Sequence, residues 1–432
     1  MIADLHVHSK YSRATSGKMD VEHIARFAAI KGLKVVGTGD FTHPLWLREL
    51  RAELEDEYDT GLYSPLRLPN SGVLFMVTGE VCTVFRSDLD SRTHRIHHLI
   101  LLPSLEAADQ VNERLAEYGD LASDGRPTLD MRPAELVEEV LEACPEAEII
   151  PAHAWTPWFS LFGAFSGFDS LEGCYEDMTD HIHALETGLS SDPPMNWRVS
   201  SLDRLALVSN SDSHSPYPWR LGREANVFYF RPDELSYGAI VGAIRKKDKR
   251  HFRMTIEVDP RYGKYHWSGH RKCGVSLPPR EAMRLGNKCP VCGKELTKGV
   301  EQRVEELADR PPGFRPEGAI DFVHLLPLSE IIMKVIGANS PNSADVWRIY
   351  EGLVAKLGDE YTVLLDAGYG VLKEVAGPSI ADAIIRVRKG RVRIIPGYDG
   401  VYGQIDFSEG PGEPVPEARV APGGQRSLLD FM

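Results

Sequence analysis

The strongest constraint on this chain is a repeated pattern in which a short apolar segment is followed by histidines or acidic residues. From residue 1 to about residue 240, apolar segments alternate with segments of helical periodicity. The apolar segments are 2–7, 35–37, 73–77, 96–102, 148–151, 185–187 and 206–209. Such alternation predicts strands joined by helices. Polar residues at the carboxyl ends of seven strands favour an α/β barrel with its functional site at that rim, and an open doubly wound sheet is the alternative.

The composition limits the classes of protein to which this chain can belong. Its 432 residues include 49 lysines and arginines and 63 aspartates and glutamates, which give a formal net charge of −14. A hydrophobic content of 42% excludes a disordered or collagen-like chain. No segment approaches the ~18 uninterrupted apolar residues of a membrane span, and the first residues lack a signal-peptide pattern. We therefore expect a cytoplasmic protein with no membrane partner.

Histidines and carboxylates at the predicted strand ends are candidate metal ligands. His6 and His8 lie two residues apart on the first strand, so both rings face one side. The later candidates are Asp40, Glu80, His97 or His98, His153, Asp212 and His214. Imidazoles and carboxylates together suit zinc, manganese, iron or magnesium in an open hydrolytic site, and a pair of metals would lie about 3.5–4 Å apart. The alternative is that these residues are unrelated helix caps and core histidines.

The opening segment Asp4-Leu5-His6-Val7-His8-Ser9 and the later strand ends resemble the polymerase and histidinol phosphatase (PHP) superfamily. Its members are metal-dependent phosphoesterases built on a distorted seven-stranded barrel. The resemblance implies a first metal held by His6, His8, Glu80 and Asp212. It implies a second metal held by Glu80, His98 and His153. Strand alternation and the apolar run that follows favour His98 over His97.

A third metal position is implied less completely by the same resemblance. Asp40 and His214 would serve it, but Ala14 stands where the superfamily usually has a histidine. Asp40 itself falls where a histidine is usual. Glu80, Asp212 and His214 are the expected catalytic residues. Two or three divalent metals are therefore expected at the rim.

Two further segments, 37–44 (GTGDFTHP) and 153–159 (HAWTPWF), resemble the endonuclease Q family of DNA repair nucleases. The resemblance covers about residues 1–405. It implies that metal-activated water hydrolyses the phosphodiester bond 5′ to uracil, hypoxanthine, xanthine or an abasic site, with the base flipped out of the duplex. The alternatives are a phosphatase acting on a small phosphate monoester and a noncatalytic DNA-binding module recruited by a sliding clamp.

A second metal site is predicted from cysteine spacing. Cys289 and Cys292 form a tight Cys-x2-Cys turn, fifteen residues after Cys273. His270 completes a set of four ligands suited to a tetrahedral structural zinc, and His266 is a rival for the fourth position. A redox Cys-x-x-Cys pair is the alternative, but no thioredoxin-like pattern surrounds it.

DNA contacts must be local in so acidic a chain. Two basic segments, 245–253 and 386–393, each carry a local net charge of +5 and could neutralise phosphates. The candidate DNA-binding residues are Lys246, Lys247, Lys249, Arg250, Arg386, Arg388, Lys389 and Arg391. The candidate base pocket or wedge residues are Trp155, Trp158, Phe159, Ser166 and Ser170. The alternative for the basic segments is a solvent-exposed helix face or hairpin. The alternative for the aromatic residues is a hydrophobic cover on the barrel.

The domain organisation follows from these segments. We expect a phosphoesterase domain over residues 1–240, a zinc-binding module over 241–300, a helical DNA-binding region with a terminal hairpin over 301–407, and a flexible tail over 408–432. The end of the tail resembles a sliding-clamp docking motif. Its anchor residues would be Gln425, Leu428, Phe431 and Met432. Such a tethered motif would raise the local concentration of the enzyme at DNA, and the protein would then be nucleoid-associated.

Overall fold

The computed structural model describes residues 1–87 and 91–407. Its strands are β1 (Ile2–Asp4), β2 (Val35–Gly37), β3 (Leu54–Asp56), β4 (Tyr63–Pro65), β5 (Leu74–Arg86), β6 (Thr93–Leu102), β7 (Thr128–Leu129), β8 (Glu148–Pro151), β9 (Ala184–Glu186), β10 (Ala206–Val208), β11 (Ala225–Phe228), β12 (Phe252–Glu257), β13 (Ser268–His270), β14 (Val275–Leu277), β15 (Asp321–His324), β16 (Arg393–Ile395) and β17 (Gln404–Asp406).

The α-helices surround these strands or follow them in the chain. They are α1 (Val21–Lys31), α2 (Pro44–Glu53), α3 (Leu105–Leu115), α4 (Pro133–Ala143), α5 (Leu171–Tyr175), α6 (Pro193–Asn196), α7 (Tyr237–Arg245), α8 (Pro279–Arg284), α9 (Val300–Leu307), α10 (Leu328–Ile336), α11 (Ala344–Leu357), α12 (Tyr369–Ala376) and α13 (Pro378–Arg388). Among the described residues, none of these helices is long and apolar enough to cross a membrane.

Helix α1 shows how the sequence specifies these elements. The side chain of Asp20 accepts a hydrogen bond from the backbone N–H of His23 and caps the first turn. Gly32 ends the helix in a left-handed conformation, with φ of 97°. Val21, Ile24 and the residues at helical spacing after them are buried against the sheet. The polar face of the helix therefore remains at the surface.

Seven strands enclose the barrel that the sequence predicts. Parallel pairing joins β1 to β2, β2 to β5, and β9 to β10. Strand β6 runs antiparallel to both β5 and β8, which distorts the parallel pattern. Ala154, after β8, donates a backbone hydrogen bond to Glu186 of β9, and a bridge between Val7 and Ser213 connects the ends of β1 and β10. The predicted α/β barrel of seven strands is confirmed.

The barrel sheet continues beyond the predicted domain boundary at residue 240. That boundary falls inside α7, and β12 then pairs with β11. Strand β15 pairs in turn with β12, although it lies in the segment assigned to the helical region. Pattern alone missed these strands because the basic segment before β12 and the cysteine-rich segment after it interrupt the β–α alternation. The barrel unit therefore includes β12 and β15 as well as residues 1–240.

Two further units follow the barrel. The hairpin β13–β14, helix α8 and the turn at residues 289–294 form a small module with few buried apolar side chains. Helices α10–α13 form the helical region, and their buried residues join the main hydrophobic cluster of the barrel. The hairpin β16–β17 follows α13, as the sequence predicts. A buried contact links Lys31 of the barrel to Glu360 of the helical region.

Candidate metal centre

Four of the predicted ligands converge at one end of the barrel. The ligand atoms of His6, His8, Glu80 and Asp212 all lie within 4.8 Å of one another. The Nε2 atom of His8 lies 3.0 Å from Asp212 Oδ1 and 3.3 Å from Glu80 Oε2. The Nε2 atom of His6 is buried without a hydrogen-bond partner among the described residues. Because an orphaned imidazole nitrogen faces two carboxylates, this group fits a divalent cation.

A second group shares Glu80 with the first. His97 Nδ1 lies 2.9 Å from Glu80 Oε1, and His153 Nε2 lies 3.0 Å from the same oxygen. The ligand atoms of these three residues also lie within 4.8 Å of one another. One carboxylate oxygen of Glu80 thus faces each group. This arrangement suits a carboxylate that bridges two metals.

The second group contains His97 and not the predicted His98. Leu99 pairs directly with Glu80 across β5 and β6, so His97, two residues away, shares the face of Glu80. His98 lies on the opposite face, where its nitrogens contact Thr83 Oγ1 at 2.9 Å and the Tyr175 hydroxyl at 3.0 Å. Alternation favoured His98 because apolar side chains occupy both faces of the following strand, so the pattern does not show which face meets Glu80. The register of β5 against β6 corrects the choice.

Each of three predicted ligands has a partner on its other ring nitrogen. Glu186 accepts from Nδ1 of His6 at 3.0 Å, and Asp40 accepts from Nδ1 of His8 at 3.0 Å. Thr156 Oγ1 accepts from Nδ1 of His153 at 2.8 Å. Such contacts fix the tautomer and leave Nε2 free to bind a metal. The sequence analysis missed Glu186, and its position at the end of β9, matching the other strand-end acids, was the available signal.

Asp40 does not join either ligand group, which corrects its predicted role as a ligand. Besides His8, its carboxylate accepts hydrogen bonds from the backbone N–H and hydroxyl of Ser9, both at 2.6 Å, and from the hydroxyl of Ser12 at 3.0 Å. A Cβ atom at Gly125 would clash with Asp40 Oδ2. The carboxylate is therefore enclosed by donors, and it positions His8. The geometry favours two metal positions over three.

His214, predicted to be a ligand and a catalytic residue, lies at the edge of the centre. Its ring centroid is 4.3 Å from that of His8, and Nδ1 is 3.7 Å from Asp212 Oδ1. It belongs to neither ligand group, and its side chain is about one-third exposed, at 30%. From this position it can contact a substrate that enters the mouth of the barrel.

Backbone strain and one unpredicted cation complete the centre. Asp40, His153 and Asp212 have φ angles of 48°, 31° and 47°, in the left-handed region that non-glycine residues rarely adopt. Strain of this kind is typical of functional sites. Arg126 Nη1 donates to Glu80 Oε2 at 2.9 Å, and its side chain is 28% exposed. Arg126 was not predicted because it lies in the loop between α3 and β7 and no motif surrounds it.

The electrostatics of the centre favour cations. Burial opposes the charged form of Glu80, but the charges of His97 and Arg126 hold its pKa well below the usual value. Burial also opposes the charge on Asp212, but its contacts with His8 and the charges around it lower its pKa. Both carboxylates are therefore ionised at neutral pH. A buried site with ionised oxygens attracts cations, and a divalent metal that binds there would displace the protons that the carboxylates hold on the imidazoles of His6 and His8.

The predicted cysteine site is also assembled. The ligand atoms of His270, Cys273, Cys289 and Cys292 lie within 4.8 Å of one another, and His266 instead faces Glu301 at 3.4 Å. Burial would raise the pKa of the Cys289 thiol, but the backbone N–H groups of the turn lower it to about 7. A thiol of that kind loses its proton readily to a bound metal.

The first basic segment lies far from the centre. Strand β12 runs in the same direction as β1, because each of them is antiparallel to β11. His6 and His8 follow the carboxyl end of β1, whereas residues 245–253 precede or begin β12. This segment therefore occupies the opposite end of the barrel. The structure therefore separates Lys246, Lys247, Lys249 and Arg250 from the metal centre, and their contact with DNA stays a prediction.

Several basic side chains bind the protein itself. Lys247 donates to the carbonyl of Asp203 at 2.8 Å, and Arg250 pairs with Asp248. Arg388 donates to three carbonyl groups, those of Val363, Leu364 and Ala367, so it holds a loop of the helical region. Arg386 donates to the carbonyl of Phe407. Lys389 and Arg391 lie at the exposed end of α13 and remain candidates for DNA contact.

Three of the predicted base-pocket residues have structural roles. Trp155 is fully buried and donates to Asn196 Oδ1 at 2.8 Å. The Ser166 hydroxyl accepts from the Phe159 backbone at 2.8 Å, and Ser170 caps α5. Trp158 and Phe159 are exposed at 41% and 40%. The ring of Phe159 lies 5.1 Å from that of His97, so exposed aromatic surface does border the metal centre.

Known proteins with solved structures are similar to this chain along almost its whole length. The lesion-specific endonuclease PfuEndoQ of Pyrococcus furiosus has 35% identity and a TM-score of 0.83, and the match covers 96% of each chain. An endonuclease Q complex with a 27-mer duplex that carries an abasic lesion at the active site also has 35% identity and a TM-score of 0.83. That match covers 95% of this chain and 97% of the other.

A family model and two curated sequences are also similar to parts or most of this chain. The family model of the MJ0043 C-terminal domain matches residues 327–391, within α10–α13. The protein MJ0043 of Methanocaldococcus jannaschii is 37% identical over 59% of this chain, but the match covers only 31% of its own length. The protein YqxK of Bacillus subtilis is 28% identical, over 93% of this chain and 98% of its own length.

Proposed function

Because this chain belongs to the endonuclease Q family of metal-dependent DNA endonucleases, we propose that it nicks damaged DNA on the 5′ side of uracil, hypoxanthine, xanthine or an abasic site. The observation that carries this proposal is the pair of ligand groups that share Glu80 at an open end of the barrel. A phosphodiester that enters there would meet both groups at once.

The proposed mechanism assigns separate tasks to the residues of the centre. Bound metals would supply a nucleophile at neutral pH and neutralise the charge of the reacting phosphate. His6, His8, Glu80 and Asp212 would hold one metal. Glu80, His97 and His153 would hold the other.

The remaining polar groups of the centre orient these ligands and the substrate. Glu186 and Asp40 keep the rings of His6 and His8 in the tautomer that presents Nε2. Arg126 is partly exposed beside Glu80, and its guanidinium would contact a phosphate oxygen. From the edge of the barrel opening, His214 would contact the substrate near the 3′ oxygen, which is the leaving group. In-line hydrolysis would leave a 3′-hydroxyl and a 5′-phosphate.

Access to a base within a duplex requires that the nucleotide leave the stack. Trp158 stacks on Phe165 with ring centroids 4.8 Å apart, and both side chains are exposed. Phe159, the next residue after Trp158, lies against His97 of the centre. We propose that Trp158 and Phe159 fill the gap that the extruded nucleotide leaves. Base–aromatic stacking would offset part of the cost of unstacking.

The function is tested by mapping the products of a single damaged oligonucleotide. A duplex with one uracil is incubated with zinc, manganese or magnesium, and both ends at the break are identified. We expect one nick on the 5′ side of uracil and none in the matched undamaged duplex. Release of phosphate from small monoesters with no nick would instead support the phosphatase alternative. Binding without a nick under every metal would support a noncatalytic module.

Glutamine substitutions at the two adjacent histidines test the choice of ligand. His97→Gln should lower the nicking rate about 10²-fold or more, because a direct ligand is lost. His98→Gln should instead cost about 1–3 kcal/mol of stability, because Thr83 and Tyr175 lose a buried partner. Nicking per folded molecule should then stay within about threefold. Nicking rates and thermal unfolding are measured for both variants, and a reversed pattern would restore His98 as the ligand.

We also propose that His270, Cys273, Cys289 and Cys292 bind a structural zinc. The apolar core around Cys289 consists of only a few buried side chains, among them Val275, Ala282 and Leu296. A module with so small a core usually needs a metal to fold.

Cys289→Ser should therefore remove one zinc per chain, and residues 266–299 should become the preferred site of proteolysis. Cys174→Ser is the matched control, because Cys174 is equally buried but lies outside this group. The measurements are elemental analysis and limited digestion. Unchanged zinc content in Cys289→Ser would contradict the assignment.

The sliding-clamp motif of Gln425, Leu428, Phe431 and Met432 lies outside the described residues. We keep it as a proposal on the basis of its sequence. Removal of residues 408–432 should weaken stimulation by a clamp and leave the basal nick unchanged.

A further inference from the structure

A cleft lies where the barrel meets the helical region and the terminal hairpin. Its volume is about 360 Å³, which is within the range of small-ligand sites. The barrel side contributes Arg220, Arg223 and Tyr262, α10 contributes Glu330 and Lys334, and the hairpin contributes Gln404. Neither predicted basic segment contributes to this cleft.

The side chains of the cleft carry more positive than negative charge. Arg220, Arg223 and Lys334 are opposed by the single carboxylate of Glu330. That carboxylate accepts from the Tyr262 hydroxyl at 2.9 Å and lies 3.8 Å from Arg220. Lys334 is exposed and forms no ion pair with any residue that the structure describes. In a chain with a net charge of −14, such a group marks a specific place for an anion.

Arg223 is the most constrained of these cations. Its Nε and Nη2 atoms both donate to the carbonyl of Ser211, at 3.1 and 2.9 Å. Burial and, next, the charge of Arg220 lower the pKa of Arg223. A bound anion would relieve the repulsion between these two guanidinium groups. The guanidinium of Arg220 has the fork geometry that suits a phosphate, and Arg223, fixed on Ser211, would add positive charge beside it.

The cleft adjoins the metal centre through two loops. Ser211, which anchors Arg223, immediately precedes the predicted ligand Asp212. Leu189 lines the cleft and follows Gly188, where a side chain would meet the Cβ atom of His153 at 2.7 Å. The cleft and the metal centre therefore share these two loops, and a DNA strand held at the centre would pass beside the cleft.

We propose that this cleft binds a backbone phosphate that flanks the scissile bond, through Arg220, Arg223 and Lys334. This inference rests on the proposed function and extends it, because it places the DNA strand across the junction of barrel and helical region. Tyr402 provides an exposed ring beside the cations, with Lys264 Nζ 5.9 Å from its centroid. A sugar or base next to the bound phosphate would rest on this ring.

The test combines protein variants with neutral phosphates. Duplexes with one uracil carry a single methylphosphonate at each of the positions around the scissile bond in turn. The variants are Arg220→Gln and Lys334→Gln, and Arg348→Gln is the control because Arg348 is an exposed arginine of the same region that pairs only with Asp345 on its own helix. DNA affinity at several salt concentrations, KM and kcat are measured for each combination.

We expect each cleft variant to bind DNA about tenfold more weakly than the wild type, with a kcat within about twofold of the wild-type value. The slope of log affinity against log salt concentration should be smaller in magnitude by about one. One methylphosphonate position should weaken the wild type about tenfold but the cleft variants less than about twofold, because each change removes the same contact. The subsite proposal would be overturned if both variants bound DNA as tightly as the wild type. It would also be overturned if a methylphosphonate at every position weakened the variants and the wild type by the same factor. If the wild type itself fails to nick uracil DNA, the proposed function fails first.

Discussion

Replacement of Glu80 by glutamine should lower the nicking rate at least about 10³-fold. The substitution keeps the size of the side chain but removes the charge that both ligand groups share. Loss of a single group that stabilises the transition state often costs about 10²–10³-fold, and here two metal positions would lose a ligand together. Metal content should fall in parallel with the rate. The rate is measured on the uracil duplex, with elemental analysis of the same preparation.

Glu148→Gln is the matched control for this substitution. Glu148 is equally buried in a barrel strand, but it begins β8 and pairs with Arg245 at 2.6 Å, at the end of the barrel opposite the metal centre. We expect this variant to retain nicking within about threefold and to lose some stability, because its ion pair is weakened. If Glu80→Gln nicks at a rate close to that of Glu148→Gln, Glu80 is not the shared ligand.

Most of the ligand residues that the sequence predicts lie just after the ends of strands. His6, His8, His153 and Asp212 each follow a short strand of the barrel, so their convergence follows from topology alone. Glu80 and His97 are different, because they lie within the long antiparallel pair β5–β6. In such a pair, the register between the two strands decides which side chains share a face of the sheet. The sequence of one strand alone does not specify that register.

Long-range contacts explain the other differences between prediction and structure. Arg126 and Glu186 act through partners 46 and 180 positions away in the chain, Glu80 and His6 respectively. The basic segment 245–253 has the composition of a DNA-binding patch, yet the direction of β12 places it at the far end of the barrel. The cleft cations Arg220, Arg223 and Lys334 form no run in the sequence. Charge density along a chain therefore did not identify the surface where charge is concentrated in space.

The largest stability effect is expected at the junction of the barrel and the helical region. Glu360 is fully buried, and its Oε1 atom accepts from Lys31 Nζ at 2.7 Å and from the backbone N–H of Leu328 at 3.0 Å. Its Oε2 atom accepts from the hydroxyl of Tyr350 at 2.8 Å. Lys31 is only 1% exposed. Glu360→Ala would leave the ammonium group of Lys31 buried without its counter-charge.

We expect Glu360→Ala to lower the free energy of unfolding by about 3–5 kcal/mol, the usual cost of removing one partner of a buried ion pair. Asp345→Ala is the control, because it breaks the exposed pair with Arg348 and should cost about 1 kcal/mol or less. Unfolding in urea is followed by circular dichroism and by tryptophan fluorescence, since the two units need not unfold together.

A double variant separates the charge from the hydrogen bonds at this junction. Lys31→Met with Glu360→Gln removes both charges. The amide oxygen of the glutamine can accept from the Leu328 N–H, and its amide N–H can donate to the Tyr350 hydroxyl oxygen. Because replacement of a whole buried pair is often neutral, this variant should be more stable than Glu360→Ala by at least about 2 kcal/mol. If the two variants are equally unstable, the attraction within the Lys31–Glu360 ion pair, which both variants lack, holds the barrel against α10 and α11, and the cost of a buried unpaired charge is small.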